Sequence, residues 1–427
     1  MTLYLNDLGL LCAVGNSKAE ILKRLLAGDR SGLSASDEFG TRCIVGAVAT
    51  DLPEIPLGPP FSKKEESEQS SSFNRTDSSF LPSGNLPPLK KGGKGGIYNC
   101  RNNRLLLAAL IQIEPTVTDM MARFGADRIG IVLGTSTSGV RNTELALDYW
   151  ADHGVLPDQF HYKQQQMGAG ADFLADFLGI QGPAYTISTA CSSSGKAFAS
   201  ARRLIRQGFC DAVIVGGADS LCGLTVNGFT ALESISTGLC KPFGVHRDGI
   251  NIGEAVSLFV LSTEPGPVIL QGIGATSDAY HFAAPDPDAT DVIKAMRNAL
   301  DDAGKTPAQI DYLNLHGTAT VLNDAMESKA VNALFGSKVA ASSSKGMTGH
   351  TLGAAAALEL AFCWLLLTND DEQGALIPNI NDDEPDTALS ALNLVKKGGT
   401  LGRRINICQS NSFAFGGNNL SIVVERA

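Results

Sequence analysis

The chain has 427 residues, 44% hydrophobic and 18% charged, which excludes wholesale disorder and fibrous repeats. That length fits two or three ordinary domains, or one large α/β unit built from two halves. The net charge of −10 argues against a nucleic-acid surface as the main business, because phosphate binding draws on clustered Lys and Arg. Aromatic residues make up only 6% while glycine reaches 46 residues, so small and branched aliphatic side chains must build the core and tight turns are many. Nine cysteines form no CxxC pair and only six histidines accompany them, so no metal site is expected and most of the cysteines read as small buried hydrophobes. The N-terminus has no basic flank or long apolar run, and the most apolar window, 352–367, is too short for a bilayer. A cytoplasmic protein without a transmembrane segment is expected.

In chain order, residues 59–96 break the composition, with eight Ser, ten charges and six large apolar residues, and read as a low-complexity surface insertion. Short apolar runs at 128–134, 184–190, 211–217 and 255–261 predict strands, several buried on both faces. Helical periods cover 163–178, 192–207, 291–302 and 351–367, and further strands are predicted at 268–274, 310–315, 339–342, 405–410 and 419–424. The alternation implies largely parallel sheets covered by helices. The two halves have similar element content and divide near residues 263–267, giving units 1–262 and 263–427.

Four stretches can carry chemistry. In TACSSSG, Cys191 stands where a strand gives way to a helix, and unpaired amide donors at a helix start favour a thiolate. Alone, such a cysteine reads first as a small core residue. His316, in HGTAT, follows an apolar strand, and His350, in KGMTGHTLGAA, precedes a small-residue helix. Parallel-sheet enzymes collect working residues at the carboxyl ends of strands, where Cys191 and His316 both fall. Lys345 alone reads as a solvated lysine. Phe413, Phe415, Gly416 and Gly417 form a loop, NSFAFGG, able to bring a backbone amide close to a ligand. The run 134–139, GTSTSG, lacks the lysine of a P-loop and the spacing of a dinucleotide fingerprint.

These four motifs, in this order over about 225 residues, resemble the β-ketoacyl-acyl carrier protein synthases, and Asp324, Glu327, Glu359 and KPFGVHRDGINIGE from Lys241 agree further. The resemblance covers the whole chain except 59–96. It implies an α/β thiolase-like fold, a five-layered αβαβα unit of two similar halves, working as a homodimer or as a heterodimer with a related subunit, with no cofactor. It implies that Cys191 takes an acyl group from an acyl carrier protein, and that malonyl-carrier protein then loses carbon dioxide and attacks the acyl-cysteine. A thiolate is both a good nucleophile and a good leaving group, so such transfer runs both ways. The resemblance assigns His316 and His350 to the enolate, Lys345 and Glu359 to organising the site, and the amides of Cys191 and Phe415 to an oxyanion hole. Losing one such donor typically costs ~3 kcal/mol. It further makes Phe415 a gate, 277–288 its partner loop, and Phe413, Gly416, Gly417, Thr318 and Thr320 substrate contacts.

The Ser-Ser-Ser after Cys191, the polar GTSTSG loop and Asn418-Asn419 look more like synthases of polyketide or aryl-polyene pathways than housekeeping fatty-acid enzymes. In the family the region corresponding to GTSTSG reaches across the dimer to the acyl pocket, so the resemblance places Thr137 there, admitting a longer, flatter or more unsaturated chain. A non-catalytic partner subunit lacks the nucleophile, whereas Cys191, His316 and His350 are all in place here. A degradative thiolase needs a second active-site cysteine where this chain has His350 and the phenylalanine loop. The carrier protein is acidic, so a basic docking patch is expected, with Lys63, Lys64, Arg101, Arg104, Arg202, Arg203 and Arg206 as candidates.

Overall fold

The computed structural model describes residues 1–55, 96–382, 384 and 386–427. Apart from Gly96, the insertion expected at 59–96 lies outside the described residues, as do Lys63 and Lys64. The first half runs β1 (Tyr4–Cys12), α1 (Lys18–Leu26), β2 (Leu33–Ser36), β3 (Cys43–Gly46), α2 (Arg101–Phe124), β4 (Ile129–Gly134), α3 (Val140–His153), α4 (Ala169–Leu178), β5 (Ala184–Ile187), α5 (Ser193–Arg206), β6 (Ala212–Asp219), α6 (Gly223–Ala231), β7 (Ile252–Gly253) and β8 (Ala255–Ser262). The second runs β9 (Val268–Ser277), α7 (Thr290–Ala303), β10 (Tyr312–Asn314), α8 (Val321–Phe335), β11 (Ala340–Ser342), α9 (Lys345–Thr348), α10 (Ala355–Thr368), β12 (Asn393–Leu394), β13 (Ile407–Ala414) and β14 (Asn418–Arg426).

The strand order repeats. Leaving aside the two-residue edge strand β12 and the small β2-β3-β7 sheet, the first half reads β1-β8-β6-β4-β5 and the second β9-β14-β13-β10-β11, so each places its first, fifth, fourth, second and third strands side by side. Orientation repeats too, with two antiparallel pairs followed by two parallel ones in both halves. A short antiparallel pairing of Tyr4 with Ile269 and Leu5 with Val268 joins the halves edge to edge. Five layers result. α2 and α4 cover the outer face of the first sheet, and their apolar residues form one core with Ile131, Ile214 and Leu258. α5 and α10 fill the space between the sheets, and α7 and α8 cover the outer face of the second.

The middle layer explains the composition. Every residue from Ala355 to Leu367 is buried, so α10 is apolar all round except for Glu359. Close approach there requires glycine. A Cβ on Gly195 of α5 would stand 2.1 Å from Leu420 of β14 and 2.9 Å from Ala356 of α10. The parallel strands β4, β5, β10 and β11 all end toward the loops that carry the motifs, which places Cys191, His316 and Lys345 at one rim of the two sheets.

α2 is, among the described residues, the one helix long and apolar enough to cross a membrane, yet Leu105, Leu106, Leu110 and Ile113 lie in the core against the first sheet. Some expected boundaries move. The helix expected from 163 starts at Ala169, after a 3-10 turn (Tyr162–Gln165) and Gly168. The helix expected from 351 becomes regular only at Ala355, because Leu352 adopts a left-handed φ of 51°. The strand expected over 184–190 ends at Ile187, ahead of the turn that carries Cys191.

Candidate active site

β5 leads into a turn at which Ala190 takes a left-handed φ of 51°, a strained conformation for a residue with a Cβ. The Ser192 and Ser193 hydroxyls donate back to the carbonyls of Thr189 and Ala190, and the Thr189 amide donates to the Ser193 hydroxyl, so the serines lock the turn. Cys191 therefore sits one residue before the N-cap of α5, with its side chain buried. Gly134 on β4 makes room, since a Cβ there would stand 2.1 Å from the Ser194 amide nitrogen.

His316 follows β10. Two carboxylates of α8 hold its loop. Glu327 accepts from the amides of His316 (2.8 Å) and Gly317 (2.6 Å), and Asp324 accepts from those of Ala319 (3.2 Å) and Phe243 (2.8 Å). Burial pushes both carboxyls up, to about 8 for Glu327 and about 6 for Asp324, with the amides opposing it. His350 is anchored through its backbone, its amide donating to the Asn251 carbonyl at 2.7 Å.

The three side chains meet across the two halves. His350 Nε2 lies 3.0 Å from Cys191 Sγ, and the two imidazoles stand edge to face with centroids 5.4 Å apart. Behind them Lys345, 1% exposed, donates to the His316 carbonyl at 2.5 Å and to Glu359 of α10, and its ammonium faces His316 Nδ1 at 3.4 Å. An ammonium can only donate, so Nδ1 must accept and the ring proton resides on Nε2. Burial holds both histidines well below their usual pKa, and Lys345 adds to this, so both are neutral at physiological pH. Burial likewise raises the Glu359 carboxyl, with Lys345 opposing it.

Cys191 differs from expectation. Burial pushes its thiol up to about 11, against the pull of Lys345 and of the amides of Phe415 and Cys191, both of which reach the sulfur. The resting pair is thus a thiol beside a neutral imidazole, and His350 can take the proton as the sulfur attacks. The donor atoms of Cys191, His316 and His350 lie within 4.8 Å of one another, a set that could ligate a soft divalent ion. The buried ammonium of Lys345 against His316 opposes a second positive charge there.

A cavity of about 300 Å³ opens onto these groups, lined also by Thr318, Thr320, Phe413, Phe415, Gly416 and Gly417. The phenylalanine segment is not a free loop but the tip of the β13–β14 hairpin. Gly416 donates to the Phe282 carbonyl and Asp278 donates to the Gly417 carbonyl, so the two segments expected to gate the site are bonded together. Phe229 of α6 packs against Phe415 with the rings tilted and their centroids 5.5 Å apart, and Lys196 of α5 ties down Asn418 at 2.7 Å.

Thr137 is buried and its hydroxyl donates to Asp219, so it does not line the cavity of this chain. Most of the described docking candidates are engaged as well. Arg101 binds the buried Glu254, Arg104 binds Glu54 and the carbonyls of Leu52 and Pro53, and Arg202 binds Asp302. Arg203 and Arg206 are exposed but sit in the last turn of α5, at the far end from Cys191. Sequence reasoning missed Phe229, whose neighbours give no local signal, and Asp219.

Residues 115–265 match the family described as Beta-ketoacyl synthase, N-terminal domain, and residues 268–381 match Beta-ketoacyl synthase, C-terminal domain. Among curated proteins, the chain is 32% identical to Nodulation protein E of Rhizobium meliloti (strain 1021), over 70% of this chain and 76% of that one. It is 31% identical to 3-oxoacyl-[acyl-carrier-protein] synthase 2 of Staphylococcus aureus (strain COL), over 76% and 82%. Among solved structures it resembles the ketosynthase ApeO, in complex with its chain length factor ApeC, from Xenorhabdus doucetiae, with a TM-score of 0.85, 40% identity and coverage of 100% and 98%.

The buried cation yields a prediction. Lys345→Ala strands Glu359 in the apolar helix and should cost about 3 kcal/mol of stability. Lys345→Met with Glu359→Gln removes both charges and should recover most of the melting temperature, but not the activity, because His316 loses the group that fixes its tautomer. Thermal unfolding beside turnover checks this, and an active double variant would contradict it.

Proposed function

The chain belongs to the β-ketoacyl synthase family, and from that premise we propose how its residues carry out decarboxylative condensation of an acyl thioester with malonyl-acyl carrier protein. The observation that carries the reading is one cavity holding Cys191 Sγ 3.0 Å from His350, with His316 beside them and Lys345 buried behind. Cys191 attacks the acyl carbonyl, and His350 Nε2 takes the thiol proton. The amides of Cys191 and Phe415 hold the oxyanion. Collapse forms acyl-Cys191 and expels the carrier thiolate, which takes the proton back. Malonyl-carrier protein then loses carbon dioxide, and the electron pair left behind forms an enolate. His316, held as the Nε2–H tautomer, donates to the enolate oxygen, with His350 facing it from beside Cys191. The enolate carbon attacks the acyl carbonyl, a carbon–carbon bond forms, and the Cys191 sulfur leaves as a thiolate that takes up one proton from solvent, the proton the net reaction consumes. Lys345 and Glu359 organise this site without touching the reacting atoms.

The halves 1–262 and 263–427 are the two units of this catalyst, a division supported by their repeated strand order. Exposed Leu145, Leu147 and Trp150 on α3, and the free edge of β5, offer the surfaces for pairing with a related subunit. The likeness to a ketosynthase bound to its chain length factor supports a heterodimer with this chain as the active half. The same likeness supports polyketide or aryl-polyene chains as substrate. Nine unpaired, buried cysteines fit a cytoplasmic setting.

The mouth of the cavity carries exposed Leu232, Val321 and Leu322 beside Glu233, Asp248 and Asp278, and among the described residues no Lys or Arg lines it. The carrier protein thus meets an apolar, partly acidic rim. Salt should change its KM by less than about threefold between 0.05 and 0.5 M, as charge contacts contribute little there. A steep rise with salt would show basic docking instead.

Intact-mass measurement tests the chemistry. A polyenoyl-carrier protein should acylate Cys191 faster than a saturated one, and equal rates would remove the chain class. Cys191→Ala should form no adduct and no condensation product. His316→Ala should still acylate Cys191 but decarboxylate malonyl-carrier protein about 100-fold more slowly. Condensation surviving Cys191→Ala would overturn the mechanism.

A further inference from the structure

Asp219, the last residue of β6, is fully buried, has no Lys or Arg among its hydrogen-bond partners, and lies outside the cavity lining. Its two oxygens gather six donor groups from two loops that are far apart in sequence. From the loop after β4 come the Thr135 hydroxyl, the Ser136 amide (2.8 Å) and hydroxyl (2.5 Å), and the Thr137 amide and hydroxyl, both at 3.0 Å. From the loop after His350 comes the Gly353 amide at 2.6 Å, which also reaches the Ser136 hydroxyl at 3.2 Å.

The contact admits no side chain at its centre. A Cβ on Gly353 would stand 2.6 Å from the Ser136 nitrogen and 2.8 Å from the Asp219 carboxylate. Each loop also holds a residue in the left-handed region, Ser138 at φ 47° and Leu352 at φ 51°, conformations that persist only when the surroundings over-determine them. One carboxylate thus presses two strained turns together, one of them beginning two residues after His350. Hydrogen bonds to a charged acceptor are about twice as strong as neutral ones, which suits a clamp of this kind.

We propose that Asp219 is a positioning residue for the condensation: by gripping Gly353 and the 135–137 loop at once, it fixes the His350 imidazole over Cys191. The proposal rests on the condensing reading above and adds to it a residue that touches no substrate. The Asp219 charge also reaches Cys191 and disfavours the thiolate, which gives a readout independent of turnover.

Asp219→Asn keeps the size but turns an amide group toward the loop donors. It should lower kcat for condensation about 100-fold with the KM for malonyl-carrier protein within threefold. The pH profile of Cys191 alkylation by iodoacetamide should move to lower pH, because a negative charge has gone. Asp219→Glu, which keeps the charge, should leave that profile in place. A purely structural role predicts a lower melting temperature with kcat intact below it, and that result would overturn the proposal. Should Asp219→Asn fail to fold, Gly353→Ala, which pushes the loop off the carboxylate, decides by the same kcat and KM split. Alkylation does not depend on the carrier reaction, so its profile separates failure of the clamp from failure of the condensing reading.

Discussion

A single buried ammonium organises this molecule. Lys345 starts a four-residue helix after β11 and reaches into the seam between the halves, where it donates to Glu359, the one charge on α10, and to the His316 carbonyl. Taking either charge from water costs several kcal/mol, so each is tolerable only with the other in place. The same ammonium faces His316 Nδ1 and so decides where the ring carries its proton. A cation needed to neutralise a core carboxylate thereby adds to the burial that keeps the neighbouring histidines neutral, and points one of them as a donor. Stability and chemistry thus draw on the same contact.

The duplicated architecture supplies everything else the site needs. The first half delivers the nucleophile on the turn between β5 and α5, and the second delivers both histidines, the lysine and the hairpin amide. α5 and α10 pack against each other between the two sheets, and Cys191 and His350 stand just ahead of them in the chain. Small residues there, Gly195 and Ala356 among them, let the helices approach. The cost is a thiol in dry surroundings, raised in pKa and dependent on its imidazole neighbour.

Much of this was legible in the sequence because it is local. Strands buried on both faces announce themselves as continuous apolar runs, as β4 and β6 do, and turn residues mark the ends where Cys191, His316 and His350 sit. Elements whose buried faces include polar groups were not legible. α8 buries Asn323, Asp324, Glu327 and Ser328 to hold the His316 loop, and α2 buries Asn102 and Asn103 and contains Pro115, so neither shows a clean apolar period. Nor can a sequence show what a polar side chain meets at long range. Thr137 bonds Asp219, 82 positions away, and Arg101 bonds Glu254, 153 positions away, partners that neither residue's sequence neighbours announce.

The enolate step requires a neutral His316 carrying its proton on Nε2, and nitrogen-15 NMR of the histidine-labelled enzyme reads that state directly. At neutral pH the His316 ring should show a protonated Nε2 and an unprotonated, hydrogen-bonded Nδ1, persisting on acidification below the usual histidine pKa. An imidazolium at neutral pH, or a proton on Nδ1, would contradict it.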